Sequence, residues 1–175
     1  MIKKIAFATD LGVLGPYVLC HALELSKQFN AKVDIIHVIE PMGVFAESIL
    51  DTYLPVKDLE RLRKEGMQDV ILTIKERIKT TMTSEFASND DESCLGEVSV
   101  VRGQAADTIL QYVDDKCIDL LVMGTLGESG EMNFGLGSVS SKILQRSSVP
   151  VLMVPLNRVT NQLGVTRNES LRRML

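Results

Sequence analysis

The sequence predicts an α/β protein with an open, doubly wound parallel sheet of five strands and helices on both faces. Two observations favour this fold class. Short, continuously apolar runs, typical of buried parallel strands, recur along the chain. Longer stretches with apolar residues at helical spacing separate them, so that strands and helices alternate. The 175 residues suit one domain with a sizeable core, or a domain with an appendage.

The five predicted strands are short and apolar, and most of them end in polar or turn-forming residues. They cover residues 2–9, 32–39, 97–101, 119–123 and 149–154. Pro150 has no N–H to donate and is compatible only with a strand start or edge. An edge as apolar as residues 149–154 needs to be covered.

Four helices are predicted between and after these strands, from apolar residues spaced three and four apart. The first covers about residues 15–30, and a longer one extends from about residue 56 to residue 86, with Val70 in its apolar stripe. The third follows the Gly103 turn. The fourth follows Ser138, which stands where an N-cap is expected, and carries an apolar stripe that includes Leu144.

The loop between the fourth strand and the fourth helix is the part of the chain where a ligand is expected. Glycine recurs from Gly124 to Gly137, and the helix starts directly afterwards. Glycines permit close approach to a ligand, and the N–H groups and dipole of a helix start favour an anion. These residues predict a phosphate site, with a loop whose glycines serve only turns as the open alternative. The loop lacks the lysine of a Walker A motif and does not fit the dinucleotide fingerprint.

Composition and charge limit the classes of partner. The 45% apolar and 24% charged residues are ordinary for a soluble globular protein. A net charge of -4 gives no indication of binding to nucleic acid or to an anionic membrane, both of which attract basic proteins. No apolar run approaches the roughly 20 residues of a membrane-spanning helix. Three scattered cysteines argue against a disulfide framework and favour a cytoplasmic location.

No catalytic or metal-ligating residue is predicted. The acidic segment from Ser88 to Ser93 does not match a calcium-loop spacing. His37, near the end of the second strand, is expected to be structural, because no nucleophile motif accompanies it. Asp10 follows the first strand at its carboxyl end, where open parallel sheets bind ligands, and a turn or N-cap role is its open alternative.

The glycine spacing carries a more specific signal. Gly124, two residues, Gly127, nine residues, Gly137 and Ser138 form the pattern G-2x-G-9x-G-(S/T). In this pattern the chain resembles the nucleotide-binding members of the universal stress protein family. The resemblance implies a Rossmann-like nucleotide-binding domain over residues 1–155 and a C-terminal extension over residues 156–175, in which Thr166 and Glu169 fit a capping box before a short helix. It extends over residues 5–10, 35–41 and 98–155.

The resemblance also implies the residues that contact an adenine nucleotide. Adenine would be held by Asp10 and the backbone of Val38, the ribose by Met123 and Gly124, and the phosphates by Gly127, Gly137, Ser138 and Val139, with Thr9 and Gly103 as further contacts. The chain departs from the family at Ala8, where proline is usual. It also has Glu128 where many members have arginine, and a carboxylate facing the phosphates would repel them.

The function implied by the resemblance is an ATP- or other adenine-nucleotide-binding stress-response protein that acts as a dimeric regulatory module. ATP, ADP or AMP is the expected ligand, with Mg²⁺ bound through the phosphates as a further candidate. The homodimer would form through residues 149–154, and at most weak ATP hydrolysis is expected, because the loop offers no identifiable base. Two alternatives stay open: a slow metal-dependent ATPase that uses Asp10, and a ligand-free dimeric interaction module, suggested by Glu128.

Overall fold

The computed structural model describes residues 1–12, 14–41, 43, 67–85, 93–125 and 136–156. Within these residues strands and helices follow one another much as the sequence predicts. In chain order the elements are β1 (Lys4–Thr9), α1 (Gly15–Phe29), β2 (Lys32–Ile39), α2 (Met67–Glu85), β3 (Leu95–Arg102), α3 (Ala105–Asp115), β4 (Leu120–Gly124), α4 (Ser138–Arg146) and β5 (Val151–Val154).

The strands form one parallel sheet in the order β3-β2-β1-β4-β5. This confirms the predicted open, doubly wound α/β sheet. The chain adds β2 and β3 on one side of β1 and then β4 and β5 on the other, so the winding direction reverses between β1 and β4. Sheets of this kind bind ligands outside the carboxyl ends of the strands at that reversal. The ends of β1 at Thr9 and of β4 at Gly124 therefore mark the expected site.

Both faces of the sheet are covered, which explains why β1, β4 and β5 carry continuous apolar runs rather than an alternating pattern. One face packs against α1 and α2, and the other packs against α3 and α4. The strand residues on the α1 side include Ile5, Phe7, Val33 and Ile35, and those on the opposite side include Ala6, Ala8, Ile36, Leu121 and Met123.

Two helical stripes are narrower than predicted. In α2, Ile71, Ile74 and Ile78 pack toward the core, whereas Val70 is 46% exposed. The prediction for Val70 is wrong because Val70 lies at the margin of this stripe, about 40° around the helix from Ile74 and about 100° from Ile71. Leu144 in α4 is likewise 44% exposed, so its predicted place in the buried stripe is also wrong. The predicted start of the long helix near residue 56 and the C-terminal extension beyond residue 156 lie outside the described residues.

A buried carboxylate shapes the pairing of β2 with β3. Val33 pairs with Leu95 but Ile35 pairs with Val98, so three steps along β3 match two along β2. Asp34 lies at this bulge, is 5% exposed, and accepts a hydrogen bond from the Glu97 N–H at 2.8 Å. A Cβ atom on Gly96 would collide with the same carboxylate oxygen. The bulge therefore requires glycine at position 96.

Asp119 ties the beginning of β4 to the beginning of β1. Its Oδ2 atom accepts hydrogen bonds from the Lys3 N–H at 2.7 Å and from the Lys4 N–H at 2.9 Å. These two backbone donors, first Lys3 and then Lys4, lower the pKa of the Asp119 carboxyl below its ordinary value. The ionised carboxylate is therefore the form that holds the two strands together.

We expect Asp119→Asn to destabilise the protein at neutral pH, by roughly 1 kcal/mol or less because the pair of bonds is solvent-screened. A carboxyl with a lowered folded-state pKa stabilises the fold above its unfolded pKa, and this contribution is lost as pH falls through the folded value. The difference between wild type and variant should shrink as pH falls below the ordinary value of 3.8. Urea unfolding at several pH values measures it, with Asp115→Asn as the control. A difference that persists in acid contradicts the assignment.

Candidate functional site

The predicted site residues within the described parts of the chain gather at one edge of the sheet. The carboxyl ends of β1, β2 and β4 supply five of these residues: Thr9, Asp10, Val38, Met123 and Gly124. The end of β1 lies beside the end of β4, where Ala8 pairs with Met123. The remaining residues follow β3, at Gly103, or begin α4, at Gly137, Ser138 and Val139. Gly127 and Glu128 lie outside the described residues.

The start of α4 is held against the end of β4. The Gly137 N–H donates to the Thr125 carbonyl at 3.0 Å, and the Gly137 carbonyl accepts from the Ser141 N–H at 2.9 Å. Gly137 has an extended backbone, with φ -58° and ψ 157°, and is the N-cap. The prediction that Ser138 is the cap is thus wrong by one residue, because the carbonyl that accepts the first helical bond belongs to Gly137.

The first turn of α4 offers backbone donors to an anion. An α-helix leaves its first N–H groups without intrahelical acceptors, and its dipole adds partial positive charge there. The first turn contains no acidic side chain, Ser138 is exposed and Val139 is partly buried. Ser140 is buried and its Oγ donates to the Gly124 carbonyl at 3.2 Å, which fixes the helix start on β4. This geometry suits a phosphate group.

Thr125 connects three segments, and the sequence prediction missed it. Its N–H donates to the Val154 carbonyl at 3.0 Å and its carbonyl accepts from Gly137. Its Oγ1 accepts from the Leu156 N–H at 3.2 Å. One residue therefore holds both ends of the glycine loop together and joins them to the chain after β5. A hydroxyl residue directly after the strand-ending Gly124 is the signal that could have identified it.

The segment after β1 forms a tight turn around Asp10. The Leu11 N–H donates to Thr9 Oγ1 at 3.0 Å, and the Gly12 N–H donates to Asp10 Oδ1 at 2.9 Å. Leu11 has a positive φ of 63°. The turn role, one of the alternatives left open by the sequence, is thus observed for Oδ1. The exposed Asp10 still presents its second oxygen, which no hydrogen bond engages within the described residues.

The nearby strand ends show why some predicted residues are needed by the fold itself. The Gly103 N–H donates to the Ile39 carbonyl at 3.1 Å, and a Cβ atom at Gly103 would collide with Thr108 Oγ1. Packing against Thr108 therefore explains why residue 103 is a glycine, and its contact with a nucleotide stays a prediction. The Val38 side chain packs toward the core, and its backbone contact with adenine also stays a prediction.

The arrangement is suited to holding a ligand with an anionic end and a hydrogen-bonding end. Backbone donors lie at the start of α4, an exposed carboxylate follows β1, and the buried Met123 lies on the strand beside it. Across the described ranges, no group of three or more His, Cys, Asp or Glu side chains is placed to hold a metal ion. Within the same ranges, none of the helices is both long and apolar enough to cross a membrane.

Comparisons with known proteins point to one family. The sequence model of the universal stress protein family matches residues 1–155. Universal stress protein YxiE of Bacillus subtilis (strain 168) is 31% identical over 155 residues, covering 88% of this chain and 99% of YxiE. Universal stress protein MJ0577 of Methanocaldococcus jannaschii is 25% identical over 154 residues, covering 88% of this chain and 95% of MJ0577.

Solved structures show the same fold. A structure of MJ0577 matches with a TM-score of 0.65 at 24% identity, covering 89% of this chain and 96% of that one. A universal stress protein in complex with cAMP matches with a TM-score of 0.56 at 22% identity, covering 87% of this chain and 96% of that one. Both structures share the α/β sheet architecture that the sequence predicts.

Proposed function

Because the chain belongs to the universal stress protein family, we propose that it binds an adenine nucleotide and acts as a dimeric regulatory module in a stress response. The ligand is ATP, ADP or AMP, with Mg²⁺ as a further candidate bound through the phosphates. The observation that carries the proposal is the start of α4, tied by the 3.0 Å bond between Gly137 and Thr125 to the end of β4. The complex of a related protein with cAMP supports the same class of ligand.

The phosphates are assigned to the glycine loop and the start of α4. Ser138 and Val139 offer the first backbone N–H groups of the helix, and Gly137, which has no side chain, precedes them as the N-cap. Gly127 completes the predicted set. Backbone donors do not titrate and are already held in place by Thr125 and Ser140, so little reorganisation accompanies phosphate binding.

The nucleoside is assigned to the ends of β1, β2 and β4. The second oxygen of Asp10 is assigned as the acceptor for the adenine amino group, and the backbone of Val38 is assigned to the edge of the base. Met123, which is 6% exposed, and Gly124 are assigned to the ribose. Asp10 is suited to its role because the Gly12 N–H already holds its other oxygen at 2.9 Å.

The proposed activity is binding rather than turnover. Phosphoryl transfer requires a positioned nucleophile and groups that neutralise the developing charge. Asp10 is the one carboxylate assigned to the site from the described residues, and it lies at the nucleoside end. Lys142, one turn into α4, is exposed and has no assigned contact with the phosphates. In the absence of turnover, nucleotide binding and release would regulate the protein by changing the contacts of the dimer.

The dimer is assigned to β5 because the two edges of the sheet differ. The edge strand β3 has a bulge at Gly96 and exposed charges at Glu97 and Arg102, features that discourage pairing with another chain. The opposite edge strand β5 has the sequence VLMV, without a charge, and its Leu152 is 37% exposed. Pairing of β5 with the same strand of a second copy would cover this apolar edge.

We expect the wild-type protein to sediment as a dimer of the 19.3 kDa chain and Leu152→Lys to sediment as a monomer. A lysine on an edge strand opposes strand pairing, because its charge would be buried at the interface. Leu72→Lys is the matched control, since Leu72 is 59% exposed on α2, which contacts β3 at the opposite edge of the sheet from β5. Sedimentation equilibrium at several concentrations measures this. A monomeric wild type, or a dimeric Leu152→Lys, contradicts the assignment of the dimer to β5.

Nucleotide content tests the binding itself. Heating the freshly purified protein and separating the released small molecules by chromatography should yield an adenine nucleotide. Titration of the emptied protein with ATP, ADP and AMP, with and without Mg²⁺, then ranks the ligands. Phosphate release with Mg²⁺, compared between wild type and Asp10→Asn, tests the ATPase alternative. Empty protein that binds none of the three contradicts the proposed function. The cytoplasmic location stays a prediction from the cysteines.

A further inference from the structure

We propose that His37 is a positioning residue for the nucleotide: its imidazole holds the Thr9–Asp10 turn in the conformation that presents the Asp10 carboxylate. The inference rests on the proposed function, because it assigns a role at the same site. It goes beyond that function by naming a side chain that need not touch the ligand. From the sequence alone, His37 is expected to be only structural.

The contact that carries the inference crosses between two strands. Thr9 and His37 are paired in the register of β1 and β2, so their side chains share one face of the sheet. The His37 Nδ1 atom lies 2.9 Å from the Thr9 carbonyl oxygen. A carbonyl oxygen only accepts, so Nδ1 must carry the proton and donate it. Neutral His37 is therefore the Nδ1–H tautomer, with the lone pair on Nε2.

Thr9 is the residue on which the following turn is built. Its Oγ1 accepts from the Leu11 N–H at 3.0 Å, while Asp10 Oδ1 accepts from the Gly12 N–H at 2.9 Å. The Gly12 carbonyl accepts from the Gly15 N–H at 2.8 Å, at the start of α1. These bonds make the turn rigid within itself and join it to α1. The histidine adds a side-chain bond from this turn to β2.

The turn needs such a bond because its backbone is unusual and its surface is open. Leu11 has φ 63°, a left-handed conformation that is uncommon for residues other than glycine, and Asp10 is exposed. A rotation of the Thr9 peptide would move Asp10 with it. Binding sites lose affinity when their groups shift by about 1 Å, so the residues that support them matter.

The place of His37 in β2 also indicates more than packing. Ile35 and Val33, two and four residues earlier on the same face, are buried and apolar, and Ile39 continues the series. A histidine interrupts this series at the position paired with Thr9. An apolar side chain would satisfy the packing there, but it could not donate to the Thr9 carbonyl. The hydrogen bond is therefore the property that distinguishes histidine at this position.

Three substitutions separate the hydrogen bond from the volume. In His37→Asn the amide nitrogen can take the place of Nδ1 and keep the donor. In His37→Gln the amide reaches toward the position of Nε2, and in His37→Leu the donor is lost. We expect the affinity for AMP, measured by isothermal titration calorimetry, to fall about tenfold in His37→Leu and His37→Gln, as for loss of one hydrogen bond, and less than about threefold in His37→Asn.

A second measurement detects the turn without any ligand. Hydrogen exchange of the Leu11 and Gly12 amides should accelerate in His37→Leu and stay near the wild-type rate in His37→Asn. Equal AMP affinities of wild type and His37→Leu overturn the inference, as does a His37→Asn variant as weak as His37→Leu. If the wild type itself binds no adenine nucleotide, the proposed function fails first, and that measurement alone reveals it.

Discussion

Replacing Gly137 with valine is expected to lower the affinity for adenine nucleotides by about 100-fold or more, because it should cost at least two charge-assisted hydrogen bonds to phosphate. Gly137 is the N-cap of α4, and its extended backbone, φ -58° and ψ 157°, is open to any residue. The variant should therefore fold. A branched side chain at this position would stand beside the N–H groups of Ser138 and Val139 and keep a phosphate away from them.

The phosphate site is tested by comparing the nucleotide affinities of two variants at Gly137 with that of one control variant elsewhere in α4. Gly137→Ala should bind with intermediate affinity, because its methyl group is smaller. Gln145→Val introduces the same branched residue near the end of α4, about 10 Å along the helix from its start, and should bind as the wild type does. Calorimetric titration with ATP and AMP measures the affinities. Full binding by a folded Gly137→Val would place the phosphates elsewhere.

The second large effect concerns stability. Gly96→Ala is expected to destabilise the fold by about 2–4 kcal/mol, because it displaces a buried carboxylate and leaves a backbone donor unpaired. The added Cβ atom would collide with Asp34 Oδ1, which accepts from the Glu97 N–H. Asp34 is 5% exposed and has little room to move. Urea unfolding monitored by circular dichroism measures the free energy of unfolding.

A double-mutant cycle distinguishes this collision from a general intolerance of β3 to side chains. Asp34→Ala alone should cost about 1–3 kcal/mol, since the Glu97 N–H loses its acceptor. Once Asp34 is truncated, adding Gly96→Ala should cost little more, so the two changes should be strongly non-additive. Gly43→Ala is the control, because a Cβ atom there meets no atom of the described part of the chain within 4 Å. Additive effects would contradict the proposed collision.

The strands and helices could be predicted because their signals are local. Continuous apolar runs of four residues identify β1, β4 and β5. The strand from Lys32 to Ile39, in which Asp34 and His37 interrupt the apolar residues, is also predicted with the bounds that the structure has. The errors arise where neighbouring elements decide the outcome. Val70 and Leu144 fit a helical stripe by spacing, but whether a residue at the margin of a stripe is buried depends on the surface opposite it.

By itself, the sequence determined the fold class, the family and the glycine loop, because each depends on residue types at fixed spacings along the chain. Only the tertiary structure decided which strands lie beside β1, and hence that Asp10 and Gly124 end neighbouring strands at the reversal of the sheet. It also decided the contacts of His37 with Thr9 and of Asp34 with the Glu97 N–H, which join residues 28 and 63 positions apart. Hydrogen bonds of this kind depend on strand order and on the exact register, because a slip of one residue would move each side chain to the other face of the sheet.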